Sequence, residues 1–145
     1  TGMDGQWRWI EKNHDFFSNA RSAARFGHLI LNNCVWDGKR LLNKTFSEAM
    51  TTKSQDLNKA YGYLWWLNGS STFMLPQSQF VFPGEILNHA PGDVYSAMGK
   101  NGQYISVSPS NGLVIIRMGD SPAAALVPLL YLNDIWQMMD GVMNP

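Results

Sequence analysis

The chain has 145 residues, 45% of them apolar, which suits a globular domain with a real core and argues against disorder. Its 11 basic and 11 acidic residues balance to a formal charge of zero, so it offers no electrostatic case for nucleic acid or an anionic membrane. The longest mostly apolar run, Ala123 to Leu132, is broken by Pro128 and falls far short of the ~20 residues that span a bilayer.

In chain order, Thr1 to Phe17 is polar and aromatic without a clean period and reads as a loop leading into a helix. Ser18 is the expected N-cap. Ala20, Ala23, Ala24, Gly27, Ile30 and Leu31 follow helical spacing, and Asn32 and Asn33 suit the helix end. Asp37-Gly38 predicts a turn and a small hairpin between Val35 and Leu42. Thr45 and Glu48 form a capping-box pattern, so a short helix is expected from about Phe46 to Thr52. Tyr61 to Leu67 is an aromatic run bounded by Asn68-Gly69 and reads as a strand. Ser70 to Asp93, with Pro76, Pro83 and Pro91, is expected to be mostly loop; a connection that long is more often functional than idle.

The strongest local signal follows. Asn101-Gly102 and Asn111-Gly112 each favour a tight hairpin, because both residue types tolerate positive φ. With Ile105 and Val107 alternating against polar neighbours, they predict a three-stranded antiparallel meander over about 93–118. Pro128 can sit in the first turn of a last helix whose stripe is Leu129, Leu132, Ile135, Trp136 and Met139, with Gly141 as its C′ residue. The fold class is therefore α/β in the layered, α+β sense: an antiparallel sheet flanked by N-terminal and C-terminal helices.

Chemistry is sparse. Cys34 is the only cysteine; it cannot form an intramolecular disulfide, and it reads as a structural thiol. His14, His28 and His89 show no metal-ligand spacing, and no metal or cofactor is expected. There is no phosphate-binding glycine loop, no Gly-x-Ser-x-Gly elbow and no Ser-x-x-Lys. Tyr131-Leu132-Asn133 matches a Tyr-x-Asn pattern, but its place on the last helix makes that a chance match. Asn43-Lys44-Thr45 and Asn68-Gly69-Ser70 match the glycosylation sequon, which matters only in a eukaryotic secretory pathway. Trp65 and Trp66 suit stacking on a flat ligand, and equally a core strand. The eight Met and six Trp fit core and interface packing.

Four ordered segments together resemble a known family. Ala20-Arg21-Ser22-Ala23-Ala24-Arg25-Phe26-Gly27 looks like the Ala-Arg-x-x-Ala-Arg-Phe-Gly helix of β-lactamase-related serine hydrolases, and Trp36 to Leu42 looks like the segment that follows it. Tyr61-Gly62-Tyr63-Leu64-Trp65-Trp66 resembles the family's Tyr-Gly-Tyr-x-Trp-Trp strand. Gly99-Lys100-Asn101-Gly102-Gln103 resembles its Gly-x-x-Gly-Gln hairpin. The resemblance runs from about residue 15 to 140. It implies a partial β-lactamase/transpeptidase-like fold in which residues 1–145 are one domain, the C-terminal portion of a larger serine-hydrolase domain.

The family's nucleophile is the Ser of a Ser-x-x-Lys motif, and its Tyr-x-Asn motif comes next; both are expected upstream of the matched region. The third motif, Lys-Thr-Gly in many members, falls by position on Ala97-Met98-Gly99. Its Gly is kept and its Lys and Thr are replaced. The resemblance therefore leans away from β-lactamases and penicillin-binding proteins, towards the esterase and 6-aminohexanoate-dimer-hydrolase-like branches. It implies that the backbone N–H of Lys100 donates to an oxyanion, that Gly99 lets an acyl group approach, and that Met98, Asn101, Gln103 and Trp65 border the substrate. The implied partner is a small-molecule acyl substrate (an ester, amide or β-lactam), in a bacterial periplasmic or secreted setting. With no nucleophile of its own, the chain alone is expected to be inactive. The alternatives are a non-catalytic binding fragment that uses the aromatic loop from Phe73 to Phe82, and a fragment that associates with itself.

Overall fold

The computed structural model describes residues 6–10, 13–122, 124–125 and 127–143. It opens on an antiparallel hairpin, β1 (Gln6–Ile10) and β2 (Asn13–Phe17), registered from Gln6↔Phe17 to Ile10↔Asn13. From sequence this stretch is expected to be a loop. The aromatic residues at 7, 9, 16 and 17 favour a pleated surface even without strict alternation. The part of that loop at 1–5 lies outside the described residues, as do Ala123 and Leu126 of the apolar run.

Helix α1 (Ala20–Leu31) is capped by Asn19, not Ser18: Asn19 Oδ1 accepts the Ser22 N–H at 2.9 Å. Its inner face is Ser22, Ala23, Gly27 and Ile30. It ends at Asn32, and Asn33 and Cys34 take positive φ of 51° and 61°. The hairpin β3 (Val35–Trp36) and β4 (Lys39–Arg40) turns at Asp37-Gly38 with positive φ at both, as the sequence requires. Helix α2 (Lys44–Met50) is capped by Asn43, two residues before the expected cap Thr45. Asn43 Oδ1 accepts from the N–H groups of Thr45 and Phe46, and Glu48 pairs instead with exposed Lys44 at 3.6 Å.

The expected strand from Tyr61 to Leu67 shrinks to β5 (Trp66–Leu67). Residues 62–65 form a tight turn, with the Gly62 N–H on the Trp65 carbonyl at 2.8 Å and Leu64 at φ 65°. The turn presses on the end of α2. A Cβ at Gly62 would stand 2.4 Å from the Met50 carbonyl oxygen, so only glycine fits. The long connection holds a second hairpin, β6 (Thr72–Met74) with β7 (Val81–Pro83), in which Phe73 stacks on Phe82 at 5.2 Å.

Strands β8 (Tyr95–Gly99), β9 (Gln103–Ser108) and β10 (Leu113–Arg117) form the expected meander, and the sheet order is β10-β9-β8-β5, antiparallel throughout. The first turn adds Lys100 to Asn101 and Gly102, whose φ values are 62° and 75°. The second is a four-residue turn, 109–112, with only Gly112 at positive φ and its N–H on the Pro109 carbonyl.

The sheet is covered on both faces. Ile30, Cys34, Met50, Trp65, Leu67 and Val107 form one core, on the α1 side. Ile86, Leu87, Ala90, Val94, Tyr104, Leu132 and Trp136 form the other, under α3 (Leu129–Met143). This explains why the polar neighbours in β9 are also buried. Ser106 Oγ lies 2.6 Å from Ser96 Oγ and accepts the Trp136 indole N–H at 3.2 Å, so no polar atom there goes unmet. Helix α3 runs through Gly141, which is therefore not its C′ residue. No helix among the described residues is long and apolar enough to cross a membrane.

Candidate functional site

The side of β8 that faces away from β9 is paired with β5 only through Tyr95 and Ser96. Beyond them Ala97, Met98 and Gly99 have no strand on that side among the described residues, and the described sheet opens there. A cavity of about 210 Å³ adjoins the opening, lined by Trp66, Leu75, Pro76, Gln77, Ile86, Met98, Val127 and Leu129. A second hollow of about 370 Å³ shares Trp66, Leu75 and Pro76 with it and extends to Tyr61 and Met74. Tyr61 meets Trp66 edge-on, with ring centroids 4.7 Å apart.

Among the described residues nothing calls for a glycine at 99. Its φ of −99° and ψ of 167° are ordinary extended values, and of those residues a Cβ would meet Gln103 alone, at 3.4 Å. Three residues on, Gly102 does need its φ of 75° to close the turn. The turn itself is held from β10. Arg117 Nη1 donates to the carbonyls of Asn101, Gly102 and Gly119, each at 3.1 Å, and Nη2 donates to the carbonyl of Asp120. The same guanidinium sits 5.5 Å from the Tyr131 ring centre. Gln103 completes the clamp: its Nε2 donates to the Gly119 carbonyl at 2.6 Å, and its Oε1 accepts the Gly119 N–H at 3.1 Å.

These placements sort the residues expected from sequence. Met98 lines the cavity, and Gly99, Lys100 and Asn101 stand at the open corner of the sheet. Gln103 is engaged with the Gly119 backbone. Trp65 is withdrawn altogether: it is 4% exposed, stacked with Phe26 at 6.3 Å and set edge-on to Tyr95 at 5.3 Å in the α1-side core. Its neighbour Trp66 faces the cavity, because successive residues of an extended chain point to opposite faces. Arg117 gave no signal in sequence, since one arginine ending an apolar strand reads as a solvated edge. Tyr131 and Asn133 serve Arg117 and the His89 N–H, in keeping with a chance motif. Asn68 is buried with its side-chain nitrogen hydrogen-bonded, which leaves no room for a glycan. Cys34 is fully buried, and burial raises its thiol pKa against the opposing pull of Arg40. Among the described residues no group of three His, Cys, Asp or Glu side chains could hold a metal.

No family model matches the sequence, and no curated protein matches it. Among solved structures, the chain is similar to "Putative 6-aminohexanoate-dimer hydrolase from Bacillus anthracis", with a TM-score of 0.57 over 89% of this chain at 20% identity. The likeness is one of fold. Among the described residues that fold is mixed α+β, with antiparallel sheets and three α-helices. The chain spans 29% of the length of that neighbour.

Proposed function

We propose that this chain is the C-terminal portion of a serine hydrolase that works through an acyl-enzyme. The observation that carries the reading is the open corner of β8, where a glycine that nothing among the described residues calls for precedes Lys100 beside an apolar cavity, in a fold like that of a hydrolase. In this reading the nucleophilic Ser, its Lys base and a Tyr come from a preceding segment. The Ser Oγ attacks the carbonyl of an ester or amide, its proton passes to the base, and the tetrahedral oxyanion accepts the Lys100 N–H together with the N–H of the nucleophile; collapse then breaks the ester C–O or amide C–N bond, the alcohol or amine leaves with the proton from the base, and water later hydrolyses the acyl-enzyme. Gly99 keeps the strand bare where the acyl group lies. Met98 and Asn101 border it, and Gln103 acts by fixing the turn. A periplasmic or secreted setting belongs to the same proposal and rests on the family resemblance alone.

The test uses a protein that joins this chain to a segment carrying Ser-x-x-Lys. A fluorophosphonate labels that Ser, whereas the 145 residues alone take up no label. Lys100→Pro removes the N–H and should slow acylation by about 10²–10³, the usual effect of losing one oxyanion donor. Lys100→Ala keeps the N–H and should acylate normally. Equal acylation rates for the two variants would sink the assignment.

A second reading, a binding fragment without chemistry, draws on the β6–β7 hairpin, where Phe80 is 62% and Val81 52% exposed around the Phe73–Phe82 stack. Loss of a ligand on Phe80→Ser with no effect on acylation would favour it.

A further inference from the structure

The cavity beside β8 differs from a polar active-site cleft in what lines it. None of its described lining residues is Asp, Glu, Lys, Arg or His. Liquid water takes about 30 Å³ per molecule, so about 210 Å³ has room for about seven non-hydrogen atoms. An ion placed there would lose its hydration and gain no partner among these residues. Of the described lining residues, Trp66 and Gln77 are those whose side chains carry a polar group. Gln77 stands in a Pro76-Gln77 turn closed by the Ser78 N–H on the Leu75 carbonyl at 3.2 Å, and its φ is 62°. That left-handed conformation favours glycine, and strain of this kind collects where a chain clamps a ligand.

We infer that the cavity is a binding site for the uncharged alkyl part, about seven non-hydrogen atoms long, of an ester or amide. Trp66, Met98, Ile86 and Leu129 give the chain its apolar walls, and the Gln77 amide can meet a neutral polar group along it. The inference rests on the hydrolase reading for calling this group a substrate's acyl chain, but not for the binding itself. It narrows the substrate class: neutral aliphatic acyl groups enter, while chains ending in a carboxylate or ammonium are refused.

The test is binding to the 145-residue chain of a homologous series of unreactive primary amides, from butanamide to decanamide. It is followed by NMR at the Trp66 indole N–H and the Met98 methyl, which suits weak ligands. Each added methylene should tighten binding about fourfold until the chain reaches about seven non-hydrogen atoms, and then the gain should stop. Carboxylates and alkylammonium ions of equal length should bind at least about tenfold more weakly. Met98→Trp should fill the space and weaken binding at least about tenfold, while Met138→Trp, on the exposed side of α3, leaves it unchanged. Should Met98→Trp fail to fold, Leu129→Phe gives the same readout. Affinities independent of chain length, carboxylates binding as well as amides, or a folded filled variant binding like the parent would each overturn the assignment. Failed fluorophosphonate labelling of the longer protein would sink the hydrolase reading and leave these titrations standing. Flat titrations would sink the cavity assignment alone.

Discussion

Replacing Asn68 tests the reasoning about the long connection most sharply. The residue is 8% exposed. Its Oδ1 accepts the Leu87 N–H at 3.0 Å, and its Nδ2 lies 3.0 Å from the Leu87 carbonyl and Glu85 Oε2, and 3.1 Å from the carbonyls of Ala90 and Pro91. One amide group has two N–H donors, so these acceptors share them, and about three full hydrogen bonds are at stake. At about 1 kcal/mol net each, and with the Leu87 N–H left buried and unmet in Asn68→Ala, the loss should be about 3–4 kcal/mol. A domain holds only about 5–15 kcal/mol in all, so the change should be plain in urea melts as a lower midpoint with an unchanged slope. Asn68→Asp should be at least as damaging, because it puts a negatively charged acceptor where a donor faced three carbonyls and the Glu85 carboxylate. Ser70→Ala, which removes one hydrogen bond to the Lys59 carbonyl, should stay within about 0.5 kcal/mol. A loss below about 1 kcal/mol in Asn68→Ala would refute the claim that this side chain holds the connection to the core. The consequence reaches the site, because Ile86, between two of its partners, is a wall of the cavity.

Burial pushes the phenols of Tyr104 and Tyr95 up to about 12, and Tyr104 donates to the Pro128 carbonyl at 2.6 Å. An unfolded phenol titrates at about 10, so the stability they contribute is full below that pH and is lost as pH rises towards 12. Urea melts across that window should show Tyr104→Phe losing less than the parent, and parallel losses would contradict it. Gly27→Ala sets a helix gain of about 1 kcal/mol against a Cβ 2.5 Å from Val114 Cγ1 and 3.2 Å from Ile105 Cγ2. Overpacking, at about 1–3 kcal/mol, should win, and Gly27→Ala with Val114→Ala should cost less than the sum of the two in a double-mutant cycle; a stabilised Gly27→Ala would overturn this. Arg117→Met should speed amide exchange at residues 100–102 about tenfold or more while amides in the middle of β9 keep their protection; unchanged exchange in the turn would mean that Arg117 does not hold it.

The parts legible in sequence are those in which neighbours along the chain decide the outcome. Asp37-Gly38 and Asn101-Gly102 tolerate the positive φ that a tight turn needs, so the hairpins they close could be placed from residue type alone. The alternation in 103–108 and the stripe on α3 likewise fix periodicity, and with it the meander flanked by helices. Trp65 and Trp66 show where that reasoning stops. Both are aromatic residues in one apolar run, and local sequence cannot say which face each will take. The choice fell to the packing of β5 against β8, with Trp65 turned into the α1-side core and Trp66 towards the cavity. Asn19 and Asn43 took the caps from equally suitable neighbours for the same kind of reason, since a cap is decided by where the chain enters its helix. Arg117 and Asn68 lie further still from sequence: each organises backbone carbonyls brought together only when distant strands and loops meet. Sequence by itself determined the order of elements and the glycine before Lys100. Tertiary structure decided which side chains surround that corner, because a cavity wall is a property of several segments at once and no one of them carries its signal.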